Sequence, residues 1–223
     1  MPVQHKSGSK LAKAVSTFEI ANENLLKDSG VNTLVAASAY TGSGDTEAEN
    51  YIRNLSNYMK ITYNNQKNVS NKYESLVTNY DGSALTEAAY DGIRVQEAVK
   101  NIGITKDGMY YGIDLNFTAS NALLKLLNFA KITVPAHKII NGTVIIDING
   151  KTKPNSIGKD IFVFELKADG TLTAIGAQGW SMLGKEGNFH WNDGNNLCNE
   201  TSVGTGITCA GSIFENNLKV IYQ

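Results

Sequence analysis

Four oxygen-bearing side chains, Asp147, Asn149, Asn155 and Asp160, crowd one short stretch, DINGKTKPNSIGKD. Carboxylate and carboxamide oxygens are what a hard cation such as Ca2+ takes, about six to eight at a time, and an Asp-x-Asn-Gly start is how calcium loops open. An EF-hand would need a bidentate Glu at the twelfth loop position; Gly158 stands there, so that motif is excluded. Two chemistries stay open. The four residues form a candidate Ca2+ site, or they are turn residues whose side chains bond their own backbone.

The second constellation is the pair Cys198 and Cys209 in CNETSVGTGITC. Zinc would need further ligands at short spacing, and only His190 is near. A disulfide closing a short loop is the favoured reading, with two unrelated free thiols as the alternative. A disulfide would put the protein outside the reducing cytosol.

Catalytic constellations are missing, and no catalytic residue is expected. His5, His137 and His190 are far apart and form no metal pair. Gly179-Trp180-Ser181-Met182-Leu183-Gly184 passes near a nucleophile elbow, but its second glycine falls one place late. Neither glycine-rich phosphate-binding pattern occurs. Trp180, Phe189 and Trp191 lie close to the cysteine loop. They make either an exposed contact patch for a ligand or subunit, or a small satellite core over a sheet edge.

The elements that must carry these groups are legible in part. Residues 9–28 predict an amphipathic helix. Leu11, Val15, Phe18, Asn22, Leu25 and Leu26 recur at spacings of three and four, Ser9 is placed to cap it and Gly30 to end it. Residues 31–44 read as loop with a short helical turn. A second helix is expected from Asp45 or Thr46 to about Ile61, with Thr46-x-x-Glu49 as a capping box. The stretch 62–84, rich in Asn, Ser and Tyr, gives no clear reading, and 85–102 has an amphipathic pattern interrupted by Gly92. Lys106-Asp107-Gly108 predicts a turn before a strand over 109–117, and 119–128 a short helix or loop.

Three further strands follow, the first built on Val144, Ile145 and Ile146 and the second on Ile161 to Phe164, with Asp169-Gly170 turning the chain into the third. Strands are also expected near Ile207 and Ile213 and over 218–222. The fold class is α+β: a long N-terminal helix packed on a C-terminal antiparallel sheet (105–223), with a mixed helical and loop insertion over 31–104 in a single domain.

Bulk properties agree with a globular chain. Its 223 residues are 42% hydrophobic and 18% charged, with a net charge of −1 and a pI near 6.3. Nothing favours whole-surface attraction to nucleic acid or anionic lipid, which leaves room for a local basic patch. No apolar run is long enough to span a bilayer, and no signal peptide pattern is present. The polar, basic opening after Met1-Pro2 suggests that something upstream has been removed.

Three segments carry a family resemblance. KLAKAVSTFEIANENLLKDSG resembles the exposed half of the N-terminal helix of type IV pilins and pseudopilins. KDGMYYGIDLNF and DINGKTKPNSIGKDIFVFELKADGTL are similar to the sheet of such prepilin-type proteins: an Asp-x-Asn-Gly turn, a Pro-Asn pair, Gly-x-Asp, an apolar strand and a second Asp-Gly turn. The late cysteine pair stands where pilins often close a C-terminal loop. The resemblance covers about 9–30 and 105–223; the diagnostic prepilin cleavage site and hydrophobic half-helix are not in the sequence.

The resemblance implies a structural subunit of a type IV pilus or a type II secretion-like pseudopilus, and no enzyme. It implies an extracytoplasmic place, an inner-membrane anchor through a removed N-terminal helix, and other pilin subunits as partners. Heterologous contacts that do not close on themselves would generate the filament. Because some pseudopilins hold calcium in a sheet-connecting loop, it also supports the Ca2+ reading. A fibre-borne adhesin or binding module using residues 31–104 is the alternative. A secreted hydrolase is a third, for which no acid/base grouping is visible.

Overall fold

The computed structural model describes residues 3–39, 47–63, 73–85, 93, 95–115, 140–178, 191, 198 and 206–216. In chain order the elements are α1 (Val3–Ser29), α2 (Glu47–Leu55), β1 (Ile61–Tyr63), α3 (Val95–Ala98), β2 (Ile102–Thr105), β3 (Tyr110–Leu115), β4 (Ile140–Asp147), β5 (Ile161–Lys167), β6 (Leu172–Ala174) and α4 (Cys209–Glu215). The strands form one six-stranded sheet in the order β1-β2-β3-β4-β5-β6, every neighbouring pair antiparallel. The class is α+β, with an antiparallel sheet.

The apolar runs of β4 and β5 do not alternate with polar residues because both sheet faces are covered. On one face Tyr111, Ile113, Val144, Ile146, Phe162 and Phe164 share a core with Leu11, Ala14, Phe18 and Leu25 of α1 and with Tyr51 and Ile52 of α2. On the other, Tyr110, Ile145, Ile161 and Val163 share a core with Tyr73, Val77, Val95 and Ala98. Gly112 in β3 is where α3 comes closest: a Cβ there would stand 2.6 Å from the Ala98 carbonyl oxygen.

The apolar stripe predicted for α1 is the buried one, with Asn22 included. Its amide Nδ2 donates to the carbonyls of Phe18 (3.2 Å) and Gly170 (3.0 Å), and its Oδ1 accepts the Tyr51 hydroxyl at 2.6 Å. Thus a buried polar group is fully matched, tying α1 to the β5–β6 turn and to α2. The helix begins at Val3, so Ser9 lies inside it and is no cap; a serine within a helix costs only about half a kcal/mol relative to alanine. Gly30, with φ +66°, ends it as expected, its N–H on the Lys27 carbonyl. Residues 31–39 are turns, as read.

Other expectations are corrected. α2 stops at Leu55, not Ile61, because Ser56 turns its hydroxyl onto the Arg53 carbonyl (2.6 Å) and competes with the helical pattern. Ile61 opens β1, so the 31–104 insertion contributes an edge of the sheet. Within 85–102 the described helix is limited to Val95–Ala98, and Ile102 already belongs to β2, paired with Gly112. Ile207 and Ile213 are not in strands: 207–208 is a turn and Ile213 lies on α4, whose residues 209–213 are all buried. The strand expected over 109–117 is Tyr110–Leu115 within the described residues. The predicted cap of α2, residues 119–128 and the strand over 218–222 lie outside them, as do His137, Ser181 and His190.

Candidate functional site

β4 ends at Asp147 and β5 begins at Ile161, and the loop between them folds around two buried carboxylates. Asp147 is fully buried; its Oδ1 accepts the backbone N–H groups of Asn149 (2.9 Å) and Gly150 (2.6 Å), and its Oδ2 accepts the Tyr73 hydroxyl at 2.7 Å. Asp160 accepts the N–H of Asn155 on Oδ2 and that of Ser156 on Oδ1, both at 2.7 Å, and the Asn149 side chain also bonds to it. All four residues of the candidate Ca2+ set therefore meet at one hub.

Burial dominates its electrostatics. It pushes the Asp147 carboxyl up to about 7, against the Tyr73, Asn149 and Gly150 donors that hold it down, and the neighbouring Asp160 charge raises it further. Burial likewise raises Asp160 above the usual carboxylate range, opposed by the N–H groups of Ser156 and Asn155. The Tyr73 hydroxyl is raised well above its ordinary value by burial and by the Asp147 charge beside it.

The second wall is the segment 73–85. Thr78 and Ser156 share a hydroxyl–hydroxyl hydrogen bond of 2.8 Å, the Thr78 N–H donates to the Asn155 carbonyl, and the Ile157 N–H donates to the Thr78 carbonyl. Sequence reading missed Tyr73 and Thr78 altogether. They sit in an Asn/Ser/Tyr-rich stretch without periodicity, and what fixes them is a partner about 75 residues later in the chain.

Turn chemistry, one of the two sequence readings, is directly present in the Asp147 and Asp160 caps. It leaves oxygens over. Asn149 Oδ1 and both amide atoms of Asn155 are buried and have no hydrogen-bond partner among the described residues, and a buried polar atom without a partner costs about 1–3 kcal/mol. Two carboxylates and two orphaned carboxamide oxygens are the donor types a hard divalent cation takes, so the hub fits Ca2+ in chemistry. Among the described residues no three His, Cys, Asp or Glu side chains gather to hold a metal. A bound ion would rely on Asp147, Asp160, Asn149 and Asn155, completed by backbone or water oxygens.

The cysteines are joined: Cys198 and Cys209 form a disulfide, both ends buried, in a small cluster with Tyr80. The bridge braces the hub loop from outside. A Cβ on Gly158 (φ +85°) would stand 2.6 Å from Cys209 Sγ and 2.8 Å from the Tyr80 ring. Replacing both cysteines with serine should destabilise the protein by about 3 kcal/mol, the loop-entropy value for a separation of 11 residues. That is a melting point lower by roughly 6–12 °C, read by calorimetry. A drop under about 2 °C would mean that the bridge does not constrain the chain.

Of the aromatic patch, Trp180 and Phe189 lie outside the described residues. Trp191 is buried, its indole N–H donating to Glu215 Oε2 at 2.7 Å and its backbone N–H to the Gly176 carbonyl. Trp191 is therefore fastened between the end of β6 and α4.

Comparison with family models, curated proteins and solved structures finds no match.

Proposed function

We propose that this chain is a non-catalytic structural subunit of an extracytoplasmic filament, of the type IV pilin or pseudopilin kind, with its α1 laid on the sheet in the pilin manner. The observation that carries the reading is the pairing of a first helix of 27 residues with a consecutive antiparallel sheet through one core. Phe18 of α1 stacks on Tyr111 of β3 with ring centroids 5.7 Å apart, and the Tyr111 hydroxyl donates to the Ala14 carbonyl at 3.1 Å. The opposite face of α1 is left outside, including Ile20, which is 53% exposed. No described helix is long and apolar enough to cross a membrane. In this reading the membrane anchor and the filament core are a hydrophobic extension of α1, and the partners are neighbouring subunits.

The β4–β5 hub is part of the same proposal, as a calcium-stabilised loop that holds the insertion segment 73–85 against the sheet. A rigid outer surface is what subunit contacts in a fibre require, since loosely held loops would have to be ordered at every contact.

Mass spectrometry of filaments sheared from the source cells tests the filament. The expected result is peptides of this chain together with those of a processed hydrophobic segment preceding α1. Recovery solely as a free protein beginning near residue 1 would overturn the reading.

A further inference from the structure

Charge is sorted along this molecule. Ala14 of α1 meets Tyr111, near the start of β3, while Glu19 and Asn22 meet the β5–β6 turn at Leu172 and Gly170. The helix therefore crosses the sheet from the end where β3 and β5 begin to the end where β5 turns into β6. Its residues before Ala14 lead out past the first end, and the charges they carry are lysines: Lys6, Lys10 and Lys13. The rest of the helix carries Glu19, Glu23 and Asp28 against Lys27, and the Asp169 charge of the β5–β6 turn acts on Glu19.

The first end of the sheet bears lysines of its own. Lys60 precedes β1 and Lys106 stands in the β2–β3 turn, brought together because Ile61 pairs with Thr105. Lys151 and Lys153 belong to the β4–β5 loop, which meets that turn: a Cβ on Gly150 would stand 2.2 Å from the Gly108 carbonyl oxygen. All four lysines are exposed. The exposed carboxylate in these connections is Asp107, which accepts the Thr105 hydroxyl, whereas Asp147 and Asp160 are buried. On the neighbouring 73–85 wall, Glu74 and Asp81 are accompanied by Lys159, whose charge acts on Asp81. Exposed turn lysines are ordinary solubilising residues when scattered. These share one end with the amino-terminal lysines of α1, while the acidic residues of α1 gather at the other.

We propose that the lysine-bearing end of the sheet rests on a bilayer of anionic phospholipid, with the acidic end pointing away. The orientation rests on the filament reading, in which a hydrophobic extension of α1 enters the membrane from this same side. The patch then acts as a second membrane signal beside the anchor. A lysine next to an anionic surface raises partitioning about fivefold. The acidic end does not cancel this: from Ala14 to Asp28 is about 20 Å of helix, well beyond the Debye length of about 8 Å at physiological salt.

The probe is the full chain mixed with vesicles of phosphatidylglycerol and phosphatidylcholine in equal parts, read by co-sedimentation at low salt. The expected result is binding that weakens steeply as salt rises, and no binding to phosphatidylcholine alone. Lys60→Glu with Lys106→Glu, and Lys151→Glu with Lys153→Glu, should each reduce partitioning by about tenfold or more. Lys27→Glu, at an equally exposed position near the other end, should change it by less than about twofold. All five positions are exposed, so the melting point of each variant should stay within about 2 °C of the parent. No binding to the anionic vesicles, equal binding to phosphatidylcholine, or as large a loss from Lys27→Glu would overturn the proposal. The vesicle assay decides this surface whatever sheared filaments contain, so the two readings fail separately.

Discussion

Stripped of divalent cations, the protein should lose about 4 kcal/mol of stability as the pH is raised from 4 to 8. The cause is Asp147. Its carboxyl titrates near 3.9 in an unfolded chain, whereas burial lifts it to about 7 in the fold. Between those values the folded state keeps a proton that the unfolded state has released. The associated stability is complete below about pH 4 and is lost as the pH climbs through 7; about three pH units at 1.36 kcal/mol each give the figure. Asp160, also raised, pushes the same way. Urea denaturation in chelator across this range provides the measurement, and a stability that is flat or rising from pH 5 to 8 would contradict it. Asp147→Asn should remove most of the slope. Calcium at about 100 times its dissociation constant should return about 2.7 kcal/mol at pH 8, and should do nothing for Asp160→Asn. If calcium leaves the melting point unmoved while the pH slope persists, the buried carboxylates are as described and the cation reading fails.

The second large effect belongs to Phe18. Phe18→Ala should cost about 4 kcal/mol, as a buried phenylalanine that cannot be replaced by neighbouring atoms usually does. Phe18 is fully buried, stacks on Tyr111 at 5.7 Å and meets the Tyr51 ring edge-on at 6.3 Å. Its removal would open a void between α1, α2 and β3 together. Tyr111→Phe, which keeps the ring and loses the bond to the Ala14 carbonyl, should cost only about 1 kcal/mol. Chemical denaturation separates the two, and a Phe18→Ala penalty below about 1 kcal/mol would mean that α1 is not held on the sheet through this ring.

How far residues could be read locally decided what was legible. The α1 stripe, the turns at Lys106–Gly108 and Asp169–Gly170, and the strands around Val144 and Ile161 are written in spacings of two to four residues, and all are present. The Asp147–Asp160 loop stood out because its residue types have few other uses at that density. What stayed hidden depends on distant partners. Tyr73 becomes a hub residue through a carboxylate 74 positions away, and β1 is a strand because β2 lies beside it. Ile207 and Ile213 misled for a different reason: β-branched residues in a glycine-rich setting look like short strands, but the disulfide-bonded Cys209 opens a short helix in which every residue from Cys209 to Ile213 is buried.

The contacts of Asn22 and Glu19 with the β5–β6 turn, 148 and 153 positions apart in sequence, bear on how the chain is made. The helix leaves the ribosome well before the sheet, and the groups that close over this part of it are polymerised about 150 residues later. At roughly 5–20 residues per second that interval is on the order of ten seconds, during which Phe18, Ala21 and Leu25 have no sheet to lie on. The meander can zip up hairpin by hairpin behind it. Docking of the helix is the step left waiting, so a newly made chain needs shelter for this stripe, and a truncation before residue 172 would leave it as a sticky, half-covered intermediate.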